Sequence, residues 1–487
     1  MIGMTHATIV LLERIAEVVM RSRVARGRGL KGVKSMDRTM ELLSPYACGL
    51  TYDALPTAVV HQVKRTLIDT LGCAMGAFHA EPSRISRHLA ESVTSRIPAR
   101  LLGTRHASSP DMAGFANGVM VRYLDCNDSY FSPGGGHPSD MIPAALALAD
   151  PLGCDGRTVI TAIVLAYEVF SRLSDQVVAG DWGWDQGIFS VIGAACAAGK
   201  VLGLSQEQMR HAISLAVVPN LPLGVTRVGE LPMWKGCATA SATRAAIFAA
   251  QLAQQGMTGP AEPFEGRRGL WEQAVGKPVA LEKFGGNGEP FRITATTFKF
   301  FPSQIHTQGP IGLALELRSK VTVSDIAALR IHSYRTAVSS AATEPEKWDP
   351  QTRETADHSI PYLVAVAFHD GTVTPASFTP ERVRDPALRS LIAKMSIDED
   401  KDFTQHFPQE GNCRMEVTTV SGQRLVAHTA YPKGHQHNPL SDADVEAKFR
   451  RFAGAVLTER QCSIALELLW AVERLPNLQA LFDVLVV

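Results

Sequence analysis

From Pro56 to Leu270, apolar residues recur at three- and four-residue spacing, the period of a helix with one buried face. Val59, Val60, Val63, Leu67, Ile68 and Leu71 form one such stripe. Ala113–Tyr123, Met141–Ala149, Val159–Leu173, Ile188–Leu202, His211–Val217 and Ala238–Gln255 read as further apolar helices, several rich in Ala and Gly, which allow close packing. Gly203 closes one of them as a C-cap, and Ser205-Gln-Glu-Gln208 opens the next as a capping box.

The pattern changes near Gly269. Glycines at 276, 285, 286 and 288 and prolines at 278 and 290 suggest a linker. Beyond it, β-branched alternation predicts strands at Ala328–Tyr334 and Arg414–Val420. The second runs through a Ser421-Gly422 turn into Leu425–Thr429, a hairpin. Helices at Pro310–Ser319 and Tyr362–Phe368 lie between. Ser441–Phe482 returns to amphipathic helix, opened by Ser441-Asp-Ala-Asp444, and is expected to pack back on the first unit. The pattern therefore predicts a mainly α protein. A large all-α domain is built from residues 41–270 and 432–487, with a smaller α+β domain over 271–431. Residues 1–40 are expected to be a poorly ordered extension. The short apolar run Thr8–Leu12 followed by Arg21, Arg23, Arg26 and Arg28 has the look of a transit leader, but Glu13 and Glu17 do not suit one. An upstream start codon ahead of Met36 or Met40 is the preferred reading.

Composition narrows the function. Lys plus Arg equals Asp plus Glu, 48 each in 487 residues, so the basic excess of a nucleic-acid or membrane-surface protein is missing. No apolar run reaches the ~18 residues of a membrane span. The eight cysteines include no C-x-x-C pair, so neither a disulfide framework nor a zinc site is indicated, and a reducing, cytoplasmic setting is expected. Motifs for a serine-hydrolase elbow, a zincin, a P-loop and a dinucleotide fold are all missing. His435 and His437 in a Pro/Gly loop are weak metal ligands. No metal and no organic cofactor is expected.

The densest chemistry lies in Asp125-Cys-Asn-Asp-Ser-Tyr-Phe-Ser-Pro-Gly-Gly-Gly, which runs into His137-Pro-Ser-Asp140. Carboxylates, an amide, hydroxyls and an imidazole surround a glycine hinge between two apolar helices. Proton-transfer chemistry belongs in such a loop, though the same residues also build ordinary turns. His137 can act as acid or base near neutral pH; the alternative is a histidine that caps the Met141 helix. Lys235 and Lys299 are cations next to aromatic residues, Trp234 in one case and Phe298, Phe300 and Phe301 in the other. Trp234 is expected to exclude water from Lys235 and lower its pKa. Arg227 offers a bidentate clamp for a carboxylate, or is an ordinary surface arginine.

This stretch resembles the signature of the MmgE/PrpD family, which holds 2-methylcitrate dehydratases, cis-aconitate decarboxylase and iminodisuccinate epimerase. Met233-Trp-Lys235-Gly, Phe298-Lys299-Phe-Phe-Pro302 with His306, Glu354-Thr-Ala-Asp-His358-Ser-Ile-Pro-Tyr362 and Tyr431-Pro-Lys-Gly-His435 match in order. The resemblance runs from about Leu42 to the C-terminus. It implies a helical domain with an inserted α+β lid, and an active site between them. It also implies a cofactor-independent lyase acting on a small di- or tricarboxylate, most simply a dehydratase of a 2-methylcitrate-like hydroxy acid, and a homodimer. His137, Asp125, Lys235 and Lys299 would be catalytic, with Asp125 supporting Lys235 and Lys299 reaching in from the lid. Asn127, Asp128, Ser129, Arg227 and His306 would bind substrate; Ser129 keeps a hydroxyl where a family decarboxylase has threonine. One departure stands out: Gln186 occupies a place where many members have a histidine. It weakens the decarboxylase reading most, and leaves room for an epimerase or a non-catalytic carboxylate binder. On the lid reading, ligand should draw the Lys299 segment toward His137.

Overall fold

The computed structural model describes residues 37–487 except Glu282, and Asp37–Val487 forms one compact unit. Residues 1–36 of the expected extension, with the leader-like run and the alternative start at Met36, lie outside the described residues. Asp37 caps the first helix among the described residues, Arg38–Gly49, by accepting from the Met40 amide at 2.9 Å. Residues 38–40 of the expected extension are thus helical.

The fold is mostly helical. The stripe read from Val59 to Leu71 lies on the helix Thr57–Gly76. Pro110–Tyr123, Ile142–Leu152, Gly156–Gln176, Gly187–Val201, Gln206–Val217 and Ala238–Gln254 follow, each within a few residues of its predicted span. Ser205 and Gln208 form the reciprocal capping box read from the sequence. These helices bury one large core that includes Leu67, Leu71, Val164, Phe170 and Val191. The C-terminal helices Asp442–Ala453 and Glu459–Trp470 add Phe449, Leu466 and Leu469 to the same core, as the amphipathic tail predicted.

A second core gathers Ile311, Leu317, Leu329, Ile331, Tyr362, Phe368, Met415 and Val417. It is backed by a four-stranded sheet in the order Met395–Glu399, Ile326–Ser333, Cys413–Thr419, Arg424–Thr429. The predicted hairpin is the antiparallel pair Cys413–Thr419 and Arg424–Thr429, with Cys413, Met415, Val417 and Thr419 buried on one face. Sequence pattern missed Met395–Glu399. It pairs parallel to Ile326–Ser333, Leu329 opposite Met395 through Ser333 opposite Glu399. Its sequence, Met-Ser-Ile-Asp-Glu, carries only two apolar residues, too weak an alternation to single out a strand.

The change of core does not fall at the glycine-rich stretch. Trp271, Val275, Val279, Phe284, Phe291, Ile293 and Phe298 all belong to the first core, and Phe301 is the first residue of the second. Glycines and prolines at 276–290 are turns in a segment that wraps the helices. The aromatic and β-branched residues between those turns bury themselves where they pass. The predicted start of the second unit at Trp271 is therefore about thirty residues early in terms of packing.

Candidate functional site

Arg122 lies in the last turn of the helix Pro110–Tyr123, and three residues later Asp125 adopts φ 51°, a left-handed conformation that Asp tolerates better than most side chains. Ser129–Tyr130 then pairs antiparallel with Thr296–Thr297. The loop closes when the Tyr130 amide and the Ser129 hydroxyl both donate to the Gly136 carbonyl, at 2.9 and 3.1 Å, and when Gly134 N–H donates to the Ser174 carbonyl. Gly136 sits at φ 127°, and a Cβ there would lie 2.4 Å from Phe170 Cζ, so glycine is required. The next residue is His137.

Two buried carboxylates dominate the interior. Arg122 Nη1 lies 2.5 Å from Asp125 Oδ1, and Lys299 Nζ ion-pairs with the same oxygen and donates to the Asp125 carbonyl at 2.9 Å. Lys235 Nζ lies 3.0 Å from Asp125 Oδ2 and 2.9 Å from Asp357 Oδ1, and so bridges both carboxylates. Arg353 Nη1 contacts Asp357 Oδ2 at 3.0 Å. His358 Nδ1 contacts Asp357 Oδ1 at 2.5 Å and Asp125 Oδ2 at 3.5 Å. Asp125, Asp357 and His358 place ligand-type atoms within 4.8 Å of one another. The Lys235 ammonium already serves both carboxylates as their cation. Burial works against ionisation of Asp125, but Arg122, Lys235 and Lys299 outweigh it and hold its carboxyl well below the usual range. Asp357 is lowered in the same way, against burial, by Lys235, His358 and Arg353. Asp140, 3.5 Å from Arg122 Nε, is raised by burial.

The imidazoles behave oppositely. Burial, Arg122 and Lys299 push His137 well below its ordinary pKa; burial and Lys235 push His358 down to about 3. His137 Nδ1 lies 2.8 Å from the Asp128 carbonyl, which can only accept, so this nitrogen carries the proton and Nε2 the lone pair. The same argument from the Asp357 carboxylate leaves the lone pair of His358 on Nε2. His137, His358 and His306 line one cavity of about 320 Å³ with Arg122, Ser129, Gln186, Arg227 and the Gly134–Gly136 backbone. Burial followed by Lys299 lowers His306 to about 3, and its Nδ1 lies 2.6 Å from the Tyr334 hydroxyl.

The sequence profile of the MmgE/PrpD N-terminal domain matches residues 41–282, and that of the MmgE/PrpD C-terminal domain matches residues 301–472. The chain belongs to the MmgE/PrpD family. Among its relatives, the probable 2-methylcitrate dehydratase of Saccharomyces cerevisiae is 26% identical over 401 residues, covering 76% of each chain. The 2-methylcitrate dehydratase-like protein oryR of Aspergillus oryzae is 26% identical over 88% of this chain and 91% of its own. The 2-methylcitrate dehydratase of Escherichia coli K12 is 26% identical over 76% of this chain and 80% of its own. The boundary between the two profiles, 282 to 301, brackets the change of core between Phe298 and Phe301.

Of the residues that the family motifs singled out, Asp125, Lys235 and Lys299 meet in one ion cluster, and His137, Ser129, Arg227 and His306 line the cavity. Asn127 and Asp128 do not line it. Asn127 donates to Ser139 and Asp140. Asp128 accepts from Ser139 N–H and from the Tyr167 hydroxyl, and burial raises it to about 6. Both hold the loop rather than face a ligand, because turns of this kind bind their own backbone with Asn and Asp. Lys299 departs from its expected place. Phe298 is anchored in the first core, and the Thr296–Thr297 pairing ties the lysine to the Asp125 loop, so it does not reach across from the other side. Trp234 is 49% exposed while Lys235 is 1% exposed; the tryptophan does not enclose its neighbour. Arg227 is neither a free clamp nor a surface residue. Its Nε pairs with buried Asp185 at 2.7 Å, and its Nη1 donates to the Lys235 carbonyl.

Sequence reasoning passed over Arg122, Arg353, Asp357 and His358. The last two stand inside the quoted Glu354–Tyr362 motif, so the signal was present and unweighted. Arg122 and Arg353 look like ordinary helix-end arginines until the fold brings them to a carboxylate.

Proposed function

We propose that this chain is a hydro-lyase that dehydrates a small hydroxy tricarboxylate of the 2-methylcitrate type. The observation that carries the reading is the charge imbalance of the buried cluster. Four cations, Arg122, Lys235, Lys299 and Arg353, face three carboxylates, Asp125, Asp357 and Asp140. The surplus positive charge borders a cavity lined by neutral imidazoles, and an anionic substrate would balance it. The naming of the relatives supplies the substrate class.

In this reading His137 Nε2 accepts the proton on the carbon next to a substrate carboxylate, and the cationic cluster stabilises the enolate-like charge that develops. The leaving hydroxyl takes up one proton and departs as water. That proton is the one His137 has just taken up: the His137 imidazolium returns it directly, or passes it to the free Nε2 of neutral His358, whose transient charge Asp357 would stabilise, so that both rings end neutral. Asp125 positions Lys235 and Lys299; Ser129, His306 and the Nη2 of Arg227, which has no hydrogen-bond partner among the described residues, bind the substrate. The second core, which carries Asp357 and His358, acts as the lid, and two chains associate as a homodimer. Leu223, Val225, Val228, Met233 and Trp234, all exposed next to the cavity-lining residues, favour self-association, which light scattering reads directly.

Two neutral imidazoles on one cavity also fit a dicarboxylate epimerase, which needs a base and an acid on opposite sides of one carbon. Incubation with a panel of hydroxy tricarboxylates and dicarboxylates in deuterated water, followed by NMR, tests both readings. Dehydration gives an alkene. Epimerisation gives deuterium exchange without loss of water. Neither product from any acid of the panel overturns the enzymatic reading.

A further inference from the structure

The Asp125–Lys299 pair is formed by two segments 174 residues apart, and each is held from behind by a residue from a third. That residue is Lys448, on the C-terminal helix Asp442–Ala453, and it is 3% exposed. Its Nζ donates to the Cys126 carbonyl at 2.6 Å and to the Lys299 carbonyl at 2.7 Å, and stands 2.5 Å from Asp69 Oδ1. An ammonium has three protons and no acceptor, so these three partners saturate it. Each carbonyl belongs to a residue of the ion cluster or to its immediate neighbour: Cys126 follows Asp125, and Lys299 is its partner.

The base under this clasp is rigid. The helix Asp442–Ala453 packs on Thr57–Gly76 so closely that a Cβ at Gly72 would lie 3.0 Å from the Phe449 Cα, and one at Gly76 would lie 2.9 Å from the Phe452 Cβ. Asp69 comes from the same helix as these glycines. Burial pushes its carboxyl up, and its contact with Lys448 works against that. Lys448 itself is held charged against burial chiefly by Asp69.

We propose that Lys448 is a positioning residue for the proposed reaction: by clasping the main-chain carbonyls of Cys126 and Lys299 it fixes the separation and orientation of the Asp125–Lys299 pair. It touches neither the cavity nor any group that would meet substrate. The proposal rests on the reading of that pair as part of the active site. A misplacement of about 1 Å at reacting groups can cost roughly a hundredfold in rate. A residue that sets two backbones at once can therefore matter to turnover without a direct contact.

The test uses the full chain with Lys448→Met and Lys448→Arg. Peptide-resolved hydrogen exchange and steady-state kinetics are read on each. For Lys448→Met, exchange should rise in residues 125–130 and 297–301 while Gly156–Gln176 is unchanged. kcat should fall by about tenfold to a hundredfold with KM moving by less than about threefold. Lys448→Arg, which keeps the charge and the donors, should recover part of kcat. A folded Lys448→Met with wild-type kcat overturns the proposal, as does exchange that rises across both packed helices and leaves the two loop segments alone. If Lys448→Met does not fold, the arginine variant decides: its wider guanidinium must alter exchange in the same two segments, and no change there overturns the clasp. If the wild type dehydrates no acid, the functional reading fails by itself, and the exchange measurement alone decides whether Lys448 sets the two backbones.

Discussion

Asp125 and Asp357 hold equivalent places in the ion cluster yet are built in opposite ways. Asp357 follows the short helix Arg353–Ala356 and draws its partners from nearby: Arg353 four residues before it and His358 directly after. Asp125 sits at φ 51° in a loop and has one local partner, Arg122 three residues before it; Lys235 and Lys299 reach it from distant segments, and Lys448 from a third clasps the next carbonyl, that of Cys126. The first arrangement is local and repeats what helix geometry gives freely. The second exists only when distant strands and helices are in place. A local carboxylate–imidazole pair keeps its geometry when the surroundings shift. A carboxylate assembled from long-range contacts makes its site conditional on the fold, and its surroundings carry most of the structural demand. Lys235 is the one ammonium that the two carboxylates share, and the His358 ring lies between them as well.

Removing that shared cation should give the largest effect. Lys235→Met leaves two buried carboxylates facing each other with one fewer partner each. Loss of one partner of a buried ion pair costs about 3–5 kcal/mol. We expect urea unfolding to show a loss of that order, and turnover to vanish with it. If the variant is as stable as the wild type, the two carboxylates are independently satisfied and the comparison between them loses its link.

The imidazoles sharpen the comparison next, because His137 belongs to the long-range side and His358 to the local one. His137→Gln should lower kcat by about 10²–10⁴-fold with little change in unfolding, since the ring makes a single hydrogen bond, to the Asp128 carbonyl. His358→Gln should lower kcat comparably if the two imidazoles divide the proton transfers. A loss confined to His137→Gln would show that one imidazole takes and returns the proton, with Asp357–His358 serving only as electrostatic support.

The same contrast explains what could be read in advance. Helix spans, the capping box at Ser205, the acidic helix start at Ser441 and the hairpin around Ser421-Gly422 were legible because each depends on neighbours within a few residues. His137, Asp125, Lys235 and Lys299 were legible through motifs, but the side of the cavity from which Lys299 comes was not. That depends on Phe298 choosing the first core, and nothing in Phe-Lys-Phe-Phe distinguishes one core from another. Lys448 illustrates the limit. On its helix it is one charged residue among several, and only burial beside Asp69 gives it a role. Asn127 and Asp128 were over-read for the reverse reason: a motif marks residues that are kept together without separating those that hold a loop from those that face its ligand.

The Gly134–Gly136 hinge offers a smaller perturbation of the long-range side. Gly136→Ala places a methyl against Phe170 and within 2.6 Å of Gln186 Oε1, at a φ of 127° that alanine rarely adopts. A strained backbone of this kind costs about 1–3 kcal/mol. We expect a destabilisation in that range by thermal or urea unfolding. KM should also rise, because the hinge sets both His137 and the cavity wall that Gln186 shares. An unchanged unfolding midpoint would mean that the loop has room to relax, and the closely packed description of this side would be wrong.

The smallest expected effect is the absence of an ordinary histidine titration. Free imidazole titrates near ~6.5, but burial with Arg122 and Lys299 lowers His137, and burial with Lys235 lowers His358 to about 3. The acid limb of kcat/KM reports groups of the free enzyme. It should therefore stay nearly level from pH 7 to 6, with a change of less than about twofold, and fall only below the ordinary histidine range. Stability must follow the same sign. A histidine whose pKa is depressed on folding binds fewer protons in the native state than in the unfolded chain. Its favourable contribution is then complete above about 6.5 and is lost as pH falls from there toward 3. The unfolding free energy should therefore decline on acidification through that window, and the decline should be shallower in His358→Gln, which has no proton to gain. A kcat/KM profile with a clear break near 6.5 would show that a catalytic imidazole is not surrounded by surplus positive charge. The anion-binding argument built on Arg122, Lys235 and Lys299 would then fail at its first step.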